Sequence, residues 1–488
     1  LERHENPGRT GKARRRIVSD HPGLKALLQY PLFSALAERR TRRIAQGVSL
    51  DAAGLSHKST NKAKPLTPLE EAVLIVATGV TGPVMHDGPL RRPDGGDELG
   101  SPFTNVIGKT ASSPDNCHAT SFFLINDNGI FLIRNPTDDQ AKPLLGSLPP
   151  RWADWREEDW LRVANTVKVQ ISDQRLEFPR KFPYYLGWNK QTSNVPGSTI
   201  LFPVVDCTRQ YIQALLTILS EPEGQRPVVI DDWRQFHPAD VAEGALWLGA
   251  QFGIPKKIPY HPIGGTKWVR NRFSNPDISA PLGMQRALRT DYESFFLLQN
   301  LMLVGQALGL GGWVHSSIFA PWIMQRDSAK GELGIPFRWM VPDKQWAHWP
   351  PLPASQPNPV GIDGLLEGLC PPYVKSMNEA VDIFIKEKYG PSGMYGNKER
   401  FAAPYADPKN AEEYLRHQVP VSAEAIEYCK EICTYLWETY GRFPAHVDAF
   451  YTPGIWVQFS HLEMEYYRKF YKPELFSRQD AHDATWGH

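Results

Sequence analysis

The 488 residues carry 41% hydrophobic and 22% charged side chains and a formal net charge of +1, enough apolar material for a sizeable core, in about two to four domain-sized blocks or one domain with large insertions. The charge balance excludes a chain-wide basic field of the kind that binds nucleic acid or anionic membrane, and 15 Trp, 18 Tyr and 22 Phe exclude a disordered scaffold. The five cysteines (Cys117, Cys207, Cys370, Cys429 and Cys433) are dispersed and form no CxxC pair, which argues against a disulfide framework and for a reducing, cytoplasmic compartment.

Residues 1–29 read as a basic arm with Arg9, Lys12, Arg14, Arg15 and Arg16 and no apolar stretch, so no secretory signal is expected. A helix over Pro31–Glu38 breaks at Arg39-Arg40-Thr41-Arg42-Arg43. Guanidinium forks around a hydroxyl suit a phosphate, although a basic helix end is also ordinary solvated surface that complements the helix dipole. Thr67-Pro68-Leu69-Glu70 is a capping box, opening a helix that stops near Gly79. The loop Ser113–His118 precedes a strand over Ser121–Ile125. Asn116 and His118 can each donate and accept, the equipment for reading the edge of a heteroaromatic ring; a plain Asx turn is the alternative.

Asp127-Asn128-Gly129 marks a hairpin between Ser121–Ile125 and Ile130–Arg134. Further strands are expected over Thr166–Ser172, Thr199–Val205 and Pro227–Ile230, the last two followed by helices over Gln210–Leu219 and Ala239–Phe252. A second capping box, Thr290-Asp291-Tyr292-Glu293, opens an apolar helix ending at Gly309. Gln299, Asn300, Gln306 and His315 within the uncharged stretch favour a central or subunit-interface helix over a membrane span. After it, Gly309-Leu310-Gly311-Gly312-Trp313-Val314-His315-Ser316-Ser317 offers bare backbone to a flat ligand. These glycines follow a helix rather than a strand, so this is not a dinucleotide fingerprint.

Beyond a Pro-rich passage near 348–359, helices are expected over Ser376–Glu387, Ala423–Thr439 and Trp456–Lys469, as a mainly helical extension over 345–488. Cys429 and Cys433 should share one buried helical face. His446 with Asp448, and His461 with Glu465 one turn on, have spacings a metal could use; helix surface is the commoner reason for such pairs, and no metal site is assigned. Trp233, Trp247, Trp313, Trp322, Trp339, Trp346 and Trp349 read as core or as walls of an aromatic pocket. The pattern of elements predicts an α+β or mixed α/β chain, and α+β is the class adopted.

Taken in order, Arg39-Arg40-Thr41-Arg42-Arg43, the Asn116-x-His118 loop before a strand, and the apolar helix ending Gly309-Leu310-Gly311 resemble the nitroreductase-like FMN-dependent flavoprotein superfamily, over about 30–134 and 290–320. Pro65–Glu71 and Gly79–Gly82 also look like the helix that follows the arginine motif there, particularly in the azoline-oxidising branch. The resemblance implies a mixed sheet flanked by helices with a long central helix, a flavin-binding domain over 30–344 interrupted by an insertion at about 135–289, and FMN held in a homodimer. By the same resemblance Arg39, Arg40 and Thr41 would meet the FMN phosphate, and Arg43 the ribityl chain and pyrimidine side. Asn116 and His118 would meet the ring edge, and Gly311, Gly312, His315, Ser316 and Ser317 the region of N5 and O4, with His118, His315 and Ser316 as catalytic candidates. Thr41 stands where the family has Ser and His118 where it has Gln, and the late phosphate-binding Lys or Arg has no counterpart in Val360–Tyr373. The implied activity is hydride transfer to or from a nitro-aromatic, quinone or heterocycle, with NAD(P)H as transient reductant. A non-catalytic flavin-binding protein and a metal-dependent enzyme using C-terminal His and Glu are the alternatives.

Overall fold

The computed structural model describes residues 19–85, 105, 107–135, 138–230, 265–325, 334–342, 357–418, 421–445 and 447–487. The basic residues Arg9–Arg16, the expected helix Ala239–Phe252, His446, and Trp233, Trp247, Trp346 and Trp349 lie outside them. Helices and strands are mixed, and the sheets are open.

Thr120–Asn126 (β1) and Gly129–Ile133 (β2) form the expected hairpin, with Asn126 opposite Gly129 and only Asp127 and Asn128 in the loop. Gly129 is required for a reason the turn motif does not carry. Its φ is +130°, and a Cβ there would lie 1.9 Å from the Ser172 carbonyl of the neighbouring strand. Lys168–Ser172 (β3), Thr199–Asp206 (β4), Gly311–His315 (β5), Phe450–Tyr451 (β6) and Trp456–Ser460 (β7) complete an antiparallel sheet of order β5–β7–β4–β1–β2–β3, with β6 also on β4. The strands are apolar on both faces because both are covered. Phe122, Leu124, Leu201 and Phe459 pack into one core and Phe123, Ile125, Phe202 and Trp456 into another.

Two expectations about organisation change here. Residues 456–460, expected within a helix of a C-terminal extension, are an internal strand, and helix begins only at Met464. The stretch 135–289, expected as an insertion, supplies β3 and the central β4. The chain's last third is threaded through the sheet.

The helix Pro68–Thr78 (α2, counting Leu32–Glu38 as α1) starts on the capping box as expected. Thr67 Oγ1 accepts from the Glu70 N–H, and the Glu70 carboxylate accepts from the Thr67 N–H. Asp206 caps Cys207–Leu219 (α3) by accepting from the Thr208 and Arg209 N–H groups. The long helix Gly283–Leu308 (α4) starts seven residues before Thr290, so Thr290 and Glu293 do not cap it. It ends at Gly309, whose φ of +87° is the left-handed stop that glycine accepts.

Leu297, Leu298, Leu301 and Met302 of α4 face the sheet, while Tyr292, Phe295 and Phe296 point outward. Among the described residues no helix is long and apolar enough to cross a membrane. Met377–Tyr389 (α5) and Ala423–Tyr440 (α6) close a third core with α3, where Cys429 and Cys433 share the buried face the spacing predicts.

Candidate functional site

At Arg39 the chain leaves α1 and passes the start of β5, where the Arg42 N–H donates to the Gly312 carbonyl (3.3 Å). Arg42 is buried. Its Nε donates to the Leu475 carbonyl (3.0 Å), Nη1 to Gln306 Oε1 (3.0 Å) and Nη2 to the Glu38 carbonyl (3.2 Å), with a further short bond from Nη2 to Leu475. Burial lowers its pKa to about 10, and Tyr467 opposes that shift. This inward anchor turns Arg40, Thr41 and Arg43 outward, and all three are exposed. Arg40 keeps only local bonds, to the carbonyls of Ala37 (2.7 Å) and Arg39 (2.9 Å).

Arg40, Thr41 and Arg43 line a cleft of about 540 Å³ whose far wall includes Tyr466, Tyr467 and Tyr471. Cationic donors and a hydroxyl facing aromatic rings suit an anionic group attached to a flat one, and the volume is that of an ordinary ligand site. Arg43 donates to Asn189 Oδ1 (2.5 Å) and lies 5.8 Å from the Trp313 ring centre. Trp313 in turn stacks on His315 at 3.8 Å. The arginine cluster and the β5 segment thus meet, although they are far apart in sequence. The tyrosines of the wall were not anticipated; Tyr466-Tyr467-Arg468-Lys469, aromatic next to basic, was the available signal.

The glycines of β5 serve the protein itself. A Cβ on Gly311 would lie 2.2 Å from Leu462 Cδ2, and one on Gly312 would lie 2.9 Å from Phe459 Cε1. The close approach expected for a ligand is taken by these side chains at the Cβ positions. Ser316 is exposed, Ser317 is buried, and His315 Nδ1 shares a proton with Ser317 Oγ at 2.7 Å.

Burial lowers the His315 pKa to about 3, opposed by a hydrogen bond to Gln458. The unfolded chain titrates near 6.5 and so binds the extra proton between those values. The native state keeps full stability above pH 6.5 and loses about 1.4 kcal/mol per pH unit as pH falls toward the folded value. Guanidinium melts at pH 6.5 and 5.5 should show the wild type losing about 1 kcal/mol more than His315→Leu, which lacks the titrating group.

Asn116 and His118 do not join the cleft within one chain. Gly312 pairs with Phe459 and Phe459 with Thr199, whereas Thr120, just after His118, pairs with Val205; six residues along the strand put the two ends about 20 Å apart. Both residues have left-handed backbone, at φ +50° and +48°. His118 Nδ1 accepts from the Lys109 N–H (3.2 Å), and Asn116 exchanges hydrogen bonds with Asn105 through its own carbonyl and amide. Burial lowers the His118 pKa, with Glu293 opposing. Glu293 is buried and organises this end of the sheet, accepting from the Thr120 N–H (2.7 Å) and Ser113 Oγ (2.5 Å).

The C-terminal histidine expectations resolve differently from their sequence spacing. His461 is not on a helix with Glu465; it directly follows β7 and faces Glu70 and His482. Burial pushes the Glu70 carboxyl up, and the adjoining imidazoles of His461 and His482 override it, holding it far below the usual carboxylate range. Asp448 pairs with Arg442 (2.7 Å).

No family model matches the chain, and no curated protein matches it.

Proposed function

We propose that the protein is an FMN-dependent oxidoreductase acting on an aromatic or heterocyclic substrate, with NAD(P)H as transient reductant when it works reductively. The observation that carries this reading is the seating of the Arg39–Arg43 segment on the start of β5, which puts outward guanidiniums and a hydroxyl beside an aromatic-walled cleft. Arg40 and Thr41, which line the cleft, suit its phosphate, Arg39 adjoins them without lining it, and Arg43, lying against Trp313, would face the ring system as a cation. Bound FMN supplies two-electron hydride chemistry. The chain's part is to bind it, to orient it against the Tyr466–Tyr471 wall and to set the charge near it.

Asn116 and His118, far from the cleft in one chain, enter this reading from the second protomer of a homodimer. The outward faces of α4, with Tyr292, Phe295 and Phe296, and of α1, with Leu32, Phe33 and Leu36, supply apolar surface for such an interface.

The test is the visible spectrum of the purified full chain, with and without added FMN. One flavin per chain is expected, and Arg40→Ala combined with Arg43→Ala should weaken FMN binding by about tenfold to a hundredfold, the worth of one or two charge-assisted hydrogen bonds to phosphate and ring. A colourless protein that takes up no FMN overturns the reading. Bound flavin that no electron acceptor or NAD(P)H can turn over leaves the binding and removes the oxidoreductase.

A further inference from the structure

Among the described residues, one fully buried group of potential metal ligands joins three distant parts of the chain: Glu70 in the first turn of α2, His461 just after β7, and His482 at the start of the C-terminal helix His482–Trp486. Their ligand atoms lie within 4.8 Å of one another. His461 Nε2 is 3.2 Å from both Glu70 carboxylate oxygens, and His482 Nε2 is 2.8 Å from Glu70 Oε1.

The other nitrogen of each ring fixes the tautomer. His461 Nδ1 faces the Lys64 carbonyl at 3.2 Å and His482 Nδ1 faces the Leu308 carbonyl at 2.9 Å. A carbonyl oxygen only accepts, so both Nδ1 atoms carry hydrogen and both Nε2 atoms turn toward the carboxylate. Of the protein-only arrangements, a single imidazolium paired with Glu70 is neutral overall, and the other two are costly. Bare Nε2 lone pairs would face a carboxylate oxygen; doubly protonated rings would bury three charges with a net positive sum.

We propose that Glu70, His461 and His482 bind one divalent transition-metal ion of the zinc class. The ion turns both bare Nε2 atoms and Glu70 Oε1 into ligands, and the Nδ1–H to carbonyl bonds become the outer contacts that orient metal-binding imidazoles. Glu70 Oε2 is already held by the Thr67 N–H (2.7 Å) and Oγ1 (2.8 Å), which leaves Oε1 as the inward donor. Two His and one Glu form a known zinc donor set. Metal–ligand bonds of about 2.0–2.1 Å place tetrahedral neighbours about 3.3 Å apart, so the two spacings between the histidines and Glu70 need to open by only a few tenths of an ångström. The role that follows from burial is a clamp, tying the C-terminal helix and the start of α2 to the end of β7. The second cluster, His57 with Glu463 and Glu465, is unlike it: Glu465 is exposed, and Glu463 is engaged by Ser59 and Asn61.

The experiment uses the full chain dialysed against chelator and titrated with Zn²⁺, then with Co²⁺ as a spectroscopic stand-in. One Zn²⁺ per chain is expected. Glu70→Gln and His482→Gln should each weaken Zn²⁺ at least about a hundredfold, more than loss of an outer contact does, while His57→Gln binds as the wild type does. Should the buried variants fail to fold, X-ray absorption of the wild-type zinc protein decides, with two imidazoles and oxygen donors at about 2.0–2.1 Å expected. No Zn²⁺ uptake at micromolar concentration, a sulfur-containing shell, or binding lost only in His57→Gln overturns the proposal.

Discussion

Arg42→Leu should lower the unfolding free energy by about 3–5 kcal/mol, the worth of about two hydrogen bonds from a charged donor at about 1.5–3 kcal/mol each. The partners of Arg42 are the carbonyls of Leu475 and Glu38 and the side-chain amide of Gln306, and of these Gln306 Oε1 keeps a second donor in the Gln479 amide (3.1 Å). Each buried acceptor left alone costs about 1–3 kcal/mol, and the backbone that carries Arg40, Thr41 and Arg43 loses its tether at the same time. The control is Arg40→Leu. Its side chain is exposed with only local carbonyl partners, so its stability should shift by no more than about 0.5 kcal/mol. Denaturant midpoints measure both variants. Equal midpoints would show that the inward anchor does not hold this segment.

The second large effect belongs to the opposite end of the sheet. Glu293→Leu should also cost about 3–5 kcal/mol, because it removes the counter-charge of a desolvated ammonium and an acceptor of a strand's first N–H. Lys109 is half-buried with its Nζ on the Thr120 carbonyl; desolvation lowers its pKa, and Glu293 opposes that. With Glu293 gone the folded Lys109 pKa falls further below its unfolded value of 10.5. The unfolded chain then binds the extra proton between the two values, so stability rises with pH across that window. In Glu293→Gln the deficit against wild type should therefore be largest near neutrality and shrink as pH climbs toward 10. Urea melts at pH 7 and pH 9.5 check the sign, and a deficit that grows with pH contradicts the pairing.

The parts of the fold that were legible in the sequence are those with local causes. The Thr67–Glu70 capping box, the apolar runs of β1, β2 and β4 and the glycine stop of α4 each rest on neighbours within a few residues. β7 was hidden because its middle residue, Gln458, is polar and buried. Its amide donates to the Thr192 carbonyl and its carbonyl accepts from the Asn194 N–H, a compensation that no local pattern announces. Thr290 and Glu293 imitate a capping box, but the carboxylate is committed to Thr120 and Ser113 across the fold. At the site, Arg42 is the one residue of the arginine cluster given no role from the sequence, yet it is the side chain that anchors the segment inward. The meeting of Glu70 with His461 and His482 depends on tertiary placement alone; the sequence offered His461 a partner at Glu465 instead.

The threading of β7 between β4 and β5 bears on how the protein is made. A nascent chain leaving the ribosome presents β4 and β5 with open edges until residues 456–460 emerge. Pairing across such a gap closes a very long loop, which slows folding and leaves sticky strand edges bare in the meantime. Synthesis therefore places this chain among those for which holding factors at the exit tunnel matter most. A truncation before residue 456 should yield a chain that sheds solubility, rather than a smaller working domain.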